Sequence, residues 1–502
     1  MLVTAELLLH YQRCHRRAFL DVWGDPSQVE PPSDFYLKLI QDRFAHQKNV
    51  LADLVYHQPE YPKGDWEAGT QATLALMQQG VDRIRKGVLI ATLDGTMGGV
   101  GEWESGGNFP SNNIPESPLT LLSRPDLLIK QPGQSRFGDW HYVPLDIELG
   151  KRAKLDYQII AAFHAQVLAQ LQEAMPETAW LILRGKRPYS VQLDIRIPQM
   201  QLILADCIQQ LLKESAPEIF ISRQKCNICG WHSYCHGVAK SQQHLSLLPG
   251  VTPSRYEILK TLNLTTLECL ADTSFSVLEP LFGSEVAEQL IRQAQSVLEN
   301  RVIFKSDRLI NLPTAPIELY FDIEAEPDLD IDYLLGVLVV DREAKTEKFY
   351  AFLAEQPEDE ASVWQQFLDL AWTYPSAPIF HFCDYEMQAV RQLAGRYKTS
   401  NDLWQPLLDR FVDIHEEIST GVTLPLENYT LKSIARWLGF EWRDTKANGA
   451  QAIYWYDRWL KISDRASLDA IVRYNEDDCR ATYHVKNCLA NFVRDSLKVN
   501  AL

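Results

Sequence analysis

Two carboxylates on one face of a predicted strand are the feature that most restricts how this sequence can fold. The stretch Ile317–Glu326 reads Ile-Glu-Leu-Tyr-Phe-Asp-Ile-Glu-Ala-Glu. Its apolar side chains alternate with other residues, and no helix-start signal precedes it, so it predicts a β-strand. Asp322 and Glu324 would then share a face, about 6.6 Å apart along the backbone. We expect a divalent cation to offset these anions, and the alternative is a strand end whose acids face water.

A second segment, from Asp469 to Leu489, has apolar residues at helical spacing. Tyr474 and Asp478 are four residues apart in it, so a helix would place them on one face, about 6 Å apart along its axis. A hydroxyl one turn before a carboxylate can orient a water molecule beside a bound metal. The segment therefore predicts a second contribution to a metal site.

These two segments resemble the first and third motifs of the DEDD exonucleases of the tyrosine variant (DEDDy), a branch of the ribonuclease H-like superfamily. Residues 378–393 resemble the motif between them, because a short apolar strand is followed by an aromatic-acid pair and a helix. Tyr385 and Glu386 occupy that pair, and Asp384 is the competing acid. Tyr429-Thr-Leu-Lys432 resembles the segment before the third motif. The resemblance covers residues 315 to 495.

The resemblance implies a mechanism as well as a fold. Asp322, Glu324, Glu386 and Asp478 would hold two Mg²⁺ or Mn²⁺ ions, for which hard carboxylate ligands are suited. Tyr474 would orient the attacking water. The implied activity is that of a 3′-to-5′ exonuclease that hydrolyses phosphodiester bonds. The implied substrate is a single-stranded end of DNA or RNA.

Charge and composition limit the class of protein. The chain has 502 residues, of which 46% are apolar and 23% charged, as expected for a globular protein of several domains. A net charge of −17 argues against nucleic-acid binding over the whole surface, but it leaves room for a local basic groove. No apolar run is long enough for a membrane span, and the first residues lack the pattern of a signal peptide. We expect a cytoplasmic protein.

Four of the nine cysteines predict a metal site. Cys226, Cys229 and Cys235 form a C-x2-C-x5-C pattern, and Cys14 lies near the start of the sequence. Thiolates packed closely repel one another unless a soft metal neutralises them, and four sulfurs suit a [4Fe-4S] cluster or Zn²⁺. Histidines near these cysteines could also bind Zn²⁺, so zinc is not excluded. The alternative to a metal site is a group of buried free cysteines.

The cysteine arrangement resembles the RecB-type nucleases of the PD-(D/E)xK class that carry an iron-sulfur cluster. Asp126 in Arg-Pro-Asp-Leu-Leu and Asp146 in Pro-Leu-Asp-Ile-Glu resemble the acidic motifs of that family, and His46 its upstream histidine ligand. Glu148 stands where that family has a lysine, which reverses the charge beside the scissile phosphate. We therefore expect a degenerate site, and the alternative is cleavage that uses Lys151.

Taken together, the sequence predicts an α/β multidomain protein. Its parts are an N-terminal restriction-endonuclease-like (RecB-type) α/β module at residues 1–238, a helical, helix-hairpin-helix-like connector at 239–312 and a C-terminal ribonuclease H-like α/β domain at 313–502. The connector prediction depends on Leu-Pro-Gly-Val251, whose glycine loop could meet a phosphate. The predicted function is that of a metal-dependent nuclease, and the alternative is a non-catalytic nucleic-acid-binding scaffold.

Overall fold

The computed structural model describes residues 1–93, 119–213, 215–223, 225–305 and 312–499. The chain divides into two compact units, residues 1–238 and 239–502. In the part of the chain that the structure describes, no helix has both the length and the apolar character needed to cross a membrane.

The first unit contains a five-stranded sheet, a three-stranded sheet and the helices around them. Its elements are β1 (Leu2–Thr4), α1 (Ala5–Arg13), α2 (His15–Trp23), α3 (Asp34–Leu51), α4 (Trp66–Gln78), β2 (Arg83–Arg85), β3 (Leu89–Leu93), β4 (Leu119–Ser123), β5 (Leu127–Ser135), β6 (Gly138–Glu148), α5 (Leu155–Gln172), β7 (Ala179–Leu183), β8 (Tyr189–Val191), α6 (Leu193–Leu211) and α7 (His232–Ser241).

Helix α5 is central to the core of the first unit. The five-stranded sheet has the order β2-β5-β6-β7-β8, and the three-stranded sheet has the order β1-β4-β3. Strands β5 and β6 are antiparallel, whereas β6 and β7 are parallel and are joined through α5. Ala161, Phe163 and Val167 of α5 are fully or almost fully buried, because the helix packs against strands of both sheets. A helix that is apolar around most of its circumference is expected in such a position.

The second unit begins with helices and continues into a mixed sheet. Its elements are α8 (Pro253–Thr261), α9 (Leu267–Ala271), α10 (Phe275–Phe282), α11 (Ser284–Glu299), β9 (Ile303–Phe304), β10 (Ile317–Glu326), β11 (Ile331–Asp341), β12 (Thr346–Leu353), α12 (Glu360–Thr373), β13 (Ile379–His381), α13 (Tyr385–Arg396), α14 (Asn401–Leu408), β14 (Phe411–Asp413), α15 (Ile414–Gly421), β15 (Val422–Thr423), α16 (Leu431–Trp437), α17 (Gly449–Ile462) and α18 (Arg465–Val499).

The segment that we predicted to be a connector packs with the rest of this unit. Gln293 of α11 donates a hydrogen bond of 2.7 Å to the carbonyl oxygen of Leu424, and β9 pairs with β15. Gly250, in the predicted phosphate-binding loop, has a φ of +91°, a backbone conformation that favours glycine. The separate identity of residues 239–312 stays a prediction.

The sheet of the second unit has the order β12-β11-β10-β13-β14, so β10 is its middle strand. Strand β10 is antiparallel to β11 and parallel to β13. Its two faces are both covered, because Phe321 packs in one core and Tyr320 packs in another that includes residues of α18. The charged side chains of β10 therefore lie in the interior, where they need compensation.

Helix α18 is held along one face of β10 by polar contacts. The ammonium of Lys486 lies 2.8 Å from a carboxylate oxygen of Glu318, and both side chains are fully buried. Further along, the amide nitrogen of Asn475 lies 2.7 Å from a carboxylate oxygen of Asp322. These contacts set the register in which α18 crosses the strand.

Candidate metal centre and active site

The predicted strand and helix bring three acids together. One carboxylate oxygen from each of Asp322, Glu324 and Asp478 lies within 4.8 Å of the other two. Strand period two places the first two on one face of β10, and α18 brings the third to that face. Oxygen ligands at this separation suit a divalent hard cation.

Two side chains donate hydrogen bonds to Asp478. The indole nitrogen of Trp442 lies 2.6 Å from its Oδ1, and the hydroxyl of Tyr474 is a second donor. Trp442 is buried, so its N–H has little access to water. No local pattern marks Trp442 as a partner of Asp478, because it lies in a loop 36 residues away along the chain. Its pairing with a buried carboxylate became visible only in the fold.

Asn475 and Gly336 shape the environment of Asp322. The fully buried Asn475 donates to Oδ2 of Asp322 at 2.7 Å and to its carbonyl oxygen at 3.2 Å. Gly336 lies opposite Asp322 on β11, and a Cβ atom there would lie 1.6 Å from Oδ1 of Asn475. Glycine is therefore needed at this position for α18 to approach the sheet. Asn475 directly follows Tyr474, but that adjacency alone does not predict its contact.

The middle motif supplies a buried acid and an exposed one. Glu386, in the first turn of α13, is buried, and its Oε2 has no hydrogen-bond partner among the described residues. Its charge raises the pKa of Asp322 and of Glu324, so it faces the cluster, although it is outside the set spaced within 4.8 Å. Asp384 is exposed at the start of α13 and accepts a hydrogen bond from Gln388. His381 lies 3.5 Å from Glu386 and contacts the carbonyl oxygen of Cys383.

The acids of this cluster resist ionisation in the absence of a cation. Burial raises the pKa of Asp322 and of Glu324 well above their usual values, and the neighbouring carboxylates raise it further. Burial also raises the pKa of Asp478, to about 7, although hydrogen bonds from Trp442 and Tyr474 oppose this increase. Burial raises the pKa of Glu386. Buried carboxylates with an orphaned oxygen fit a hard divalent cation, because it would satisfy the charge and the lone pairs together.

The acids of the first unit have protein partners instead. The amide nitrogen of Gln47 lies 2.9 Å from Oδ1 of Asp126, and the backbone N–H of Ile147 donates to its Oδ2 at 2.8 Å. Asp146 lies 3.6 Å from the ring of His164. Burial raises the pKa of Asp146 to about 8.

A cation that none of the sequence motifs includes lies beside Glu148. Arg43 of α3 is 3.2 Å from its carboxylate, and burial raises the pKa of Glu148 to about 7 although Arg43 opposes this. Lys151 is exposed. His46 donates from its ring to the backbone carbonyl of Ile182, and its Nε2 has no hydrogen-bond partner in the described residues. Arg43 and Gln47 are four residues apart on α3, a helical spacing that could have indicated a shared face.

The four cysteines converge in the first unit. Cys14 separates α1 from α2, Cys226 and Cys229 bound a short 3₁₀ turn, and Cys235 is in α7. The Cys14 thiol contributes to a raised pKa at each of the other three, for which burial is the largest cause. Cys14 Sγ accepts an N–H from Arg17 at 3.4 Å, as Cys226 Sγ does from Ser222 at 3.3 Å.

Across the described ranges, Asp322, Glu324 and Asp478 form the one set of three or more His, Cys, Asp or Glu side chains grouped closely enough to hold a metal ion.

Comparison with known proteins gives one family. A model of the RNase_H superfamily matches residues 319–490, which include the acidic cluster, Glu386 and Tyr474. A search of curated proteins gives no match for the chain. The match covers the mixed sheet from β10 onward and most of α18. Residues 319–490 of this chain thus form an RNase H-like domain.

Proposed function

We propose that this protein is a metal-dependent nuclease that removes nucleotides from the 3′ end of single-stranded DNA or RNA. The observation that carries the proposal is the convergence of Asp322, Glu324 and Asp478 inside an RNase H-like domain. Three buried or half-buried carboxylates in such proximity are unfavourable unless a ligand offsets their charge. Together with Glu386 they would hold two Mg²⁺ or Mn²⁺ ions.

Bound divalent cations would activate the attacking water and stabilise the leaving 3′-oxygen. The chain's own residues have separate roles. Burial raises the pKa of Tyr474 far above its usual value, so its hydroxyl keeps its proton at neutral pH. Because that proton is donated to Asp478, the hydroxyl oxygen would orient the attacking water as a hydrogen-bond acceptor. Trp442 fixes the Asp478 carboxylate through a buried hydrogen bond.

The test is a nuclease assay with end-labelled, single-stranded DNA and RNA oligomers in the presence of Mn²⁺. We expect progressive shortening from the 3′ end, and Asp322→Ala should abolish it. Glu386→Ala should have the same effect, whereas Asp384→Ala is the matched control and should retain activity, because Asp384 is exposed. Unchanged cleavage by the Asp322 variant would refute the assignment. Loss of activity in the Asp384 variant alone would move the fourth ligand to that residue.

For the first unit, we propose a RecB-like module that no longer cleaves. The sheet order and the β5-β6-α5-β7 connection support a restriction-endonuclease-like core. Both oxygens of Asp126 accept protein hydrogen bonds, and Arg43 pairs with the glutamate that replaces the lysine. Asp126→Ala should therefore leave the nuclease activity of the protein intact. If this variant eliminates a distinct activity, the module cleaves.

A non-catalytic scaffold is the second candidate, and the replaced lysine of the first unit favours it. A scaffold would bind Mn²⁺ weakly and retain nucleic acid without cutting it. Calorimetric titration of Mn²⁺ into the protein, followed by the oligomer assay, distinguishes the two candidates.

For the cysteines, we propose a [4Fe-4S] cluster in preference to zinc. Cys14 lies near enough to the other three cysteine thiols to raise their pKa, so a soft metal would offset the repulsion among the four. The preference for the cluster rests on the resemblance of Cys14 and the C-x2-C-x5-C pattern to the RecB-type nucleases that carry one. A brown preparation that contains iron would support the cluster, whereas a colourless protein with stoichiometric zinc would refute it.

A further inference from the structure

A lysine lies beside the two aromatic side chains that donate to the acidic cluster. Lys432, in the first turn of α16, places its ammonium 5.5 Å from the ring centre of Tyr474 and 5.5 Å from that of Trp442. These are the two side chains that donate to Asp478.

The ammonium is held in place without a carboxylate contact. One of its three N–H groups donates to the carbonyl oxygen of Ala447. Within the described residues, no carboxylate oxygen lies within 4.0 Å of its Nζ, in contrast to the paired Lys486 and Arg443 of the same unit. The side chain is half-buried. A cation withdrawn from water beside two aromatic rings is stabilised when an anion is added.

We propose that Lys432 binds a phosphate oxygen of the nucleic-acid substrate, at the side of the cluster formed by Tyr474 and Asp478. This inference rests on the proposed nuclease function. A lysine ammonium is a compact charge that binds phosphate with donors in several directions. It would repel a divalent cation, so its role at this position is to hold the anionic strand and not the metal.

The experiment compares Lys432→Gln with Lys432→Arg. Glutamine keeps a donor for Ala447 but removes the charge, whereas arginine keeps the charge. Lys461→Gln is the matched control, because Lys461 pairs with Asp457 on the exposed side of α17. Affinity for a fluorescein-labelled oligo-dT is measured by anisotropy over a range of salt, with Ca²⁺ under conditions where no cleavage is seen. Mn²⁺ affinity is measured separately by calorimetry.

We expect Lys432→Gln to weaken oligo-dT binding about tenfold to a hundredfold, the range for one hydrogen bond to a charged group. The slope of log affinity against log salt should fall by about 0.7, which corresponds to one phosphate contact on a single strand. Mn²⁺ affinity should stay the same or rise. Lys432→Arg should restore most of the binding, and the Lys461 variant should behave as wild type.

An unchanged salt slope in Lys432→Gln would overturn the inference. So would a parallel loss of Mn²⁺ affinity, because that result indicates a structural role. If the glutamine variant does not fold, Lys432→Met, which keeps the aliphatic stem, is measured in the same way. If the wild-type protein neither binds nor cleaves the oligomer, the proposed function fails and this inference with it. If the wild type cleaves and the variants bind normally, the inference about Lys432 alone fails.

Discussion

Replacing Asp478 by asparagine should stabilise the metal-free protein while it removes activity. Burial raises the pKa of Asp478 from 3.8 to about 7. The folded state therefore holds a proton at intermediate pH that the unfolded state has released. The contribution of this protonated group to stability is fully present below its unfolded-state pKa. It is lost as the pH rises through the folded-state pKa. Asparagine has no such loss, and it can still accept the hydrogen bond from Trp442.

The size of the effect follows from the two pKa values. Each pKa unit corresponds to about 1.36 kcal/mol, so ionisation of Asp478 costs the folded state about 4 kcal/mol at about pH 8. At about pH 5 the cost falls to about 2 kcal/mol, which is less than half of its full value before rounding. In a unit of this size, a change of 4 kcal/mol raises the melting temperature by roughly 8 °C.

Differential scanning calorimetry of the full chain in EDTA measures this effect. The relevant transition is the one that moves when Mn²⁺ is added to the wild type, since a bound ion stabilises only the folded unit that holds it. Asp477→Asn is the matched control. The Asp477 carboxylate, next to Asp478 in the sequence, accepts hydrogen bonds from the backbone N–H and the side chain of Arg443. Its replacement should therefore lower the free energy of unfolding by about 1–3 kcal/mol. If Asp478→Asn destabilises the metal-free protein, or if its benefit does not shrink at low pH, the electrostatic reasoning is wrong.

Three further predictions concern the supports of the two sites. Gly336→Ala should lower both Mn²⁺ affinity and the melting temperature, because the new Cβ displaces the Asn475 side chain that donates to Asp322. A Mn²⁺ titration identical to that of the wild type would contradict this prediction. Lys486→Met should lower the free energy of unfolding, measured in urea, by about 3 kcal/mol, because it leaves the buried Glu318 with fewer partners. Adding Glu318→Gln to this variant should recover part of the loss. Strict additivity of these two changes would argue against a coupled pair. Cys226→Ser should reduce iron content and visible absorbance and lower the melting temperature of the first unit, and an unaltered spectrum would exclude this ligand.

Much of the RNase H-like domain could be predicted from local patterns. Strand β10 and helix α18 have strong periodicity, and the acids lie at spacings that place them on one face of each element. The short strand and helix around Glu386 followed from the same reasoning. Local periodicity predicts faces of elements well, because it depends on residues within a turn or two.

The supports of the site could not be predicted in that way. Trp442 and Asn475 contact the acids, and Lys432 lies beside Tyr474 and Trp442, only because a loop and two helices meet the sheet at one point. In the first unit, Arg43 rather than Lys151 faces Glu148, since α3 passes beside β6.

The sequence by itself identified the acids that we propose as metal ligands and the elements on which they lie, because alternation and helical spacing depend on neighbouring positions. Only the tertiary structure decided how their charges are balanced. The register of α18 on β10 brings Asp478 to Asp322 and Glu324, and burial there raises the pKa of all three carboxyl groups. That balance depends on desolvation and on contacts between distant residues, neither of which exists before the chain has folded.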